Sequence, residues 1–154
     1  MFRESTLWEG TAEDVVKKVL VGVDGSKESR IAADRAAELA RALDAELTVA
    51  CVVPAPSPGP FESRETVRRE TIERLQAREL LHELSSRYLR EGIRVDTVMP
   101  SGRPAETLAD LAATPDVDFV VVGRRRQGGF ARALIGGIAD RLAQISPKPV
   151  LVAH

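Results

Sequence analysis

Val117-Asp118-Phe119-Val120-Val121-Val122-Gly123-Arg124-Arg125-Arg126-Gln127-Gly128-Gly129 decides how this chain is read. An apolar run of strand length passes directly into a loop of glycines and arginines, and a second glycine pair, Gly136-Gly137, opens a helix thirteen residues after Gly123. A strand, a glycine-bearing loop and a helix start are the parts from which backbone amides build a phosphate site. Three consecutive arginines, Arg124 to Arg126, stand where such loops usually leave the backbone bare.

Working outward, four more apolar runs share the Val, Ile and Leu bias of a buried strand: Val19–Val23, Leu47–Val53, Ile93–Met99 and Val150–Ala153. Segments of helical period separate them. Ala32, Ala36, Leu39, Ala40 and Leu43 recur at steps of three and four, with Glu28, Arg35, Glu38 and Arg41 off that stripe and Ser26 placed to cap the helix. From Glu62 to Glu91 the stripe is Ile72, Leu75, Leu81, Leu84 and Tyr88, set among charges that read as a solvated face. A third helix starts at Pro104, where a missing N–H costs nothing, and continues through Leu108 and Leu111. A fourth covers Ile138 to Ile145 and stops ahead of Pro147.

Strands alternating with helices predict an α/β fold, a single-domain parallel sheet with helices on both faces. The mixed pattern Val95-Asp96-Thr97-Val98 predicts an edge strand. Residues 1–16 form an N-terminal extension, and 17–154 the domain. The 154 residues suffice for one core. With 22 basic and 23 acidic residues the formal charge is -1, which gives no global pull toward nucleic acid or an anionic membrane. No span of about 20 apolar residues is present, and the first residues lack the apolar core of a secretion signal. One cysteine, Cys51, excludes a disulfide framework and a thiolate metal cluster. A cytoplasmic protein with no membrane partner is expected.

In open α/β sheets ligands gather outside the carboxyl ends of the strands, where the winding reverses. The first strand ends in Val23-Asp24-Gly25-Ser26 and the fourth in Gly123-Arg124. Were these strands neighbours, Asp24 would serve a phosphate-bound cation or a ribose hydroxyl. Gly25 would turn the chain, and the amides of Gly136, Gly137 and Ile138 would offer a positive helix terminus. The same residues have an ordinary use, since Asp and Ser cap helices and Gly makes turns.

Taken together, Val19-Leu20-Val21-Gly22-Val23-Asp24-Gly25-Ser26, the Gly102 and Pro104-Ala105-Glu106 pair, and the glycine loop ending in Pro147-Lys148-Pro149-Val150-Leu151-Val152 resemble the universal stress protein family, the UspA-like domain, over residues 17–153. The resemblance implies an open five-stranded sheet of order 3-2-1-4-5, adenine nucleotide alpha hydrolase-like. It also implies a homodimer through the last strand, residues 150–153, and a role in stress response. ATP with Mg is the implied ligand, adenine lying near Val52 and Asp24 at the ribose or metal end. The implied contact residues are Val23, Asp24, Gly25, Ser26, Val52, Gly123, Arg124, Arg126, Gly136, Gly137 and Ile138. In the ATP-binding pattern of Gly, two residues, Gly, nine residues, Gly, then Ser or Thr, this chain keeps Gly123 and Gly136. Arg126 occupies the second glycine position and Gly137 the hydroxyl position. Arg126 either fills the crevice or swings out as a charge-assisted phosphate ligand.

No catalytic residue is expected, and at most a slow ATPase. His82 sits in a charged helix and His154 at the last position, so neither meets Ser26 or Cys51 in any visible triad. Two histidines and one cysteine cannot supply zinc spacing. Nucleic acid is not an expected partner, because the arginine cluster stands alone in a balanced chain. The alternative function is an interaction protein whose phosphate loop is blocked by Arg126.

Overall fold

The computed structural model describes residues 15–56, 59–60, 63–124 and 137–154. Five strands and four helices alternate along it: β1 (Lys18–Gly22), α1 (Lys27–Ala42), β2 (Glu46–Ala50), α2 (Arg64–Arg90), β3 (Val95–Val98), α3 (Pro104–Ala112), β4 (Val117–Gly123), α4 (Ile138–Ile145) and β5 (Val150–Ala153). All pairings are parallel, in the order β3-β2-β1-β4-β5. The expected order is therefore the observed one, and β1 and β4 are neighbours at the switch point.

Alternation along β1 splits the core in two. Val19, Val21 and Val23 face α1 and α2 with Leu47, Val49 and Val121, whereas Leu20 faces α3 and α4 with Ala50, Val120, Val122 and Leu142. The central strands are buried on both faces, which is why their sequences carry no polar alternation. β3 shows the opposite pattern, with Asp96 and Thr97 exposed, as its edge position requires.

α1 turns an alanine face to the sheet: Ala32, Ala33, Ala36, Ala37 and Ala40 are all buried. Such short side chains let its backbone come close to the strands. Ser26 caps the helix by accepting from the Ser29 amide at 3.1 Å, as expected. Across the layer Tyr88 donates its hydroxyl to Asp34 at 2.7 Å, and Arg87 pairs with the same carboxylate, fixing α2 to α1.

The expected stripe of α2 needs one correction. Leu81, Leu84 and Tyr88 are buried, together with Ala77 and Leu80, but Ile72 and Leu75 are about half exposed, at 45% and 52%. The helix has 27 residues, about 40 Å at 1.5 Å per residue, and only its second half lies against the short strands β2 and β3. The apolar period continues past the surface that can cover it. Strand ends also differ by a few residues from the apolar runs. Val53 lies beyond β2, yet a parallel bridge to Ser101 keeps the two chains paired there.

Candidate functional site

The carboxyl ends of β1, β2 and β4 bring the candidate residues to one edge of the sheet. Beyond β1, Asp24 is exposed, and its Oδ1 accepts from the Ser26 amide at 2.9 Å, forming a tight turn in which Gly25 has a φ of 84°. Ser29 braces the same turn: its hydroxyl accepts from the Asp24 amide at 3.2 Å and donates to the Ser26 carbonyl at 3.0 Å. The Val23 amide is spent on the Ala50 carbonyl at 2.8 Å. In this loop the amides of Val23, Asp24 and Ser26 are engaged, and Asp24 is the exposed acid at its tip.

At the end of β4, Gly123 has a packing reason to be glycine. A Cβ there would stand 2.5 Å from the backbone carbonyl oxygen of Glu28 and 3.0 Å from the Ser29 nitrogen, in the first turn of α1. Backbone cannot give way as a side-chain tip can. The Arg124 amide donates to the Ala153 carbonyl at 3.0 Å, continuing the sheet, so its exposed side chain remains the group able to reach a ligand. Arg126 and Gly136 lie outside the described residues.

Gly137 is the N-cap of α4, with a φ of -62° and no side-chain cap on the helix. Among the described residues nothing stands within 4 Å of where its Cβ would be, so these leave room there for the hydroxyl side chain of a serine or threonine. The first turn of α4 is a positive helix end that the N-cap residue itself does not cap with a side chain. Arg141 pairs with Glu106 at 3.3 Å and ties the starts of α3 and α4 together. The Glu106 carboxyl is held below its ordinary pKa, first by its own backbone amide and then by Arg141, with burial opposing.

Val52 lines an open groove of about 400 Å³ between the loops that follow β2 and β3, with Pro54, Ala55, Gly102, Arg103 and Pro104. The walls are mostly apolar, which suits a flat ring. Arg103 was not among the residues singled out by sequence. The only signal was a cation between a glycine and a helix-opening proline. Cys51, next to Val52, is buried, and burial followed by the nearby Asp24 charge pushes its thiol above the ordinary value. It stays protonated at neutral pH, which accords with a packing role. Among the described residues no cluster of three or more His, Cys, Asp or Glu could hold a metal ion, and no helix is long and apolar enough to cross a membrane.

Comparison with known proteins adds to this geometry. A family model described as the universal stress protein family matches residues 16–154. The chain belongs to the universal stress protein family. A relative from Methanocaldococcus jannaschii, itself a universal stress protein, is 29% identical over 146 residues, 91% of this chain and 83% of that one. Among solved structures, a universal stress protein in complex with cAMP shares 27% identity at a TM-score of 0.73, covering 91% of this chain and 98% of that chain. UspA from Lactobacillus plantarum superposes at a TM-score of 0.80 with 22% identity, covering 90% and 98%, and supports the fold.

Proposed function

We propose that this chain is a nucleotide-responsive binding module of the stress response, a cytoplasmic homodimer that holds an adenine nucleotide at the carboxyl edge of its sheet. The observation that carries this reading is the convergence of three groups there. The Asp24 carboxylate follows β1, the Val52 groove lies beyond β2, and the first turn of α4 begins at Gly137, an N-cap without a side chain. These are an acceptor for ribose or a magnesium ion, an apolar slot for a base, and amides for a phosphate. The related structure in complex with cAMP supports the ligand class. ATP with Mg is the proposed ligand, with Asp24 toward the ribose or metal end. Arg124 and Arg126 supply cationic side chains to the phosphates. No group is assigned a catalytic step.

A second reading has an observation of its own. The Arg124 amide is committed to the sheet, Gly137 lacks the hydroxyl of the family pattern, and Arg126 replaces a glycine. In that reading the arginine loop has closed the site and the protein acts through partners. Arg126→Gly combined with Gly137→Ser separates the two. If Arg126 is a phosphate ligand, ATP affinity falls in the double variant. If Arg126 blocks the crevice, affinity appears or rises.

The dimer is proposed to form through β5, an edge strand whose Leu151 is 44% exposed. Antiparallel pairing of two such strands would cover the exposed edges. A shallow apolar strip between β5 and α1, including Leu39, Ala42 and Leu151, borders that edge.

A further inference from the structure

The groove beside Val52 is built with more care than a gap between two loops needs. The Val53 amide donates to the Pro100 carbonyl at 2.9 Å, and the Gly102 amide to the Val53 carbonyl at 3.0 Å. The loops after β2 and β3 are thereby joined beyond the regular sheet, giving the groove a fixed floor. Gly102 then turns at a φ of 146°, in contact with Thr107, where a Cβ would come within 2.6 Å of the threonine hydroxyl. Only glycine meets that turn without strain. The next residue, Arg103, lines the groove together with Val52, Pro54 and Ala55.

Arg103 has no structural task that accounts for its identity. It is the N-cap of α3, but its side chain makes no cap bond. It is exposed, and among the described residues its guanidinium has no hydrogen bond or ion pair. Its charge acts on Glu106, whose carboxylate is hydrogen-bonded by its own backbone amide and paired with Arg141. An exposed planar cation thus belongs to the lining of a mostly apolar slot open to solvent.

We propose that Arg103 is a ligand-contacting residue whose guanidinium stacks on the purine ring while the opposite face of the ring rests on Val52 and Pro54. This rests on the nucleotide reading above and assigns the base contact to a residue of the β3–α3 loop. A guanidinium plane over a π-face gains from cation–π attraction and keeps its edge donors in water. The contact belongs to the base, so it is the same whatever number of phosphates the ligand carries.

The test is calorimetric titration of the full-length chain and of Arg103→Ala and Arg103→Lys with adenosine, AMP and magnesium ATP, at low and high salt. The expected result is a loss of about five- to tenfold in Arg103→Ala, equal for the three ligands and insensitive to salt. Arg103→Lys should recover less than half of the loss on a logarithmic scale, because an ammonium has no plane to stack. The melting temperature of ligand-free Arg103→Ala should stay within about 1 °C of the parent, so a folding defect would not account for the loss. Unchanged affinity in Arg103→Ala overturns the proposal while leaving the nucleotide reading intact. So does a loss that grows from adenosine to ATP and shrinks with salt, since that is the mark of a phosphate contact. A parent chain that binds none of the three ligands overturns the nucleotide reading, and this proposal with it.

Discussion

Gly123 at the end of β4 lies so close to Glu28 in the first turn of α1 that a Cβ on the glycine would stand 2.5 Å from the Glu28 carbonyl oxygen. The contact follows from the alanine face of α1, which brings helix and sheet backbones together beside the proposed site. A glycine assigned to phosphate by its spacing is thus also required by packing.

Gly123→Ala should therefore destabilise the fold by about 1–3 kcal/mol, the usual cost of overpacking against atoms that cannot move aside. Gly137→Ala, where no described residue lies within 4 Å of the added carbon, should change stability by less than about 0.5 kcal/mol. Urea denaturation of the two variants measures the difference. Equal effects would mean that the close approach at Gly123 is not a constraint.

The strands were legible because burial on both faces keeps Val19–Val21 of β1 and Phe119–Val122 of β4 free of polar residues, and the edge character of β3 showed in Asp96 and Thr97. Strand order came from family resemblance, since no residue pattern states which strand lies beside which. The overreach of α2 was hidden because periodicity records a helix but not the length of sheet beneath it, so Ile72 and Leu75 read as core. At the site, Asp24 and Gly123 stood out by type and spacing. That the Arg124 amide is used up by Ala153 depends on pairing between β4 and β5, which only the fold reveals. Arg103 escaped notice because a cation before Pro104 looks like loop filler until the groove is seen.

Tyr88→Phe should cost about 1.5–3 kcal/mol, because the buried hydroxyl donates to the charged Asp34. The phenol's pKa is raised from its ordinary 10, first by burial and then by Asp34. The fold thus holds this proton more tightly than the unfolded chain does. Stability from this group is present below pH 10 and declines as pH rises above it. Thermal melts between neutral and strongly alkaline pH should show that decline for the parent chain, and a weaker one for the variant. Parallel curves would show that Tyr88 does not carry the effect.

Cys51 should resist alkylation in the native protein and react readily once it is unfolded, since it is buried and its thiol is held protonated. Mass spectrometry after iodoacetamide treatment, with and without urea, reads this directly. Rapid labelling of the native chain would contradict the packing role.

Leu151→Glu should convert the proposed dimer to monomer by placing a charge in the exposed β5 edge. Sedimentation equilibrium at several concentrations distinguishes the two states. A dimer that survives the charge would move the interface away from β5.

The most direct test of nucleotide binding is calorimetric titration of the chain, stripped of bound nucleotide, with magnesium ATP and with AMP. Micromolar binding of both with ATP tighter, weakened in Asp24→Ala, is the predicted result. No heat from either ligand, together with no thermal stabilisation, would contradict the account and favour the interaction protein whose phosphate loop Arg126 has closed.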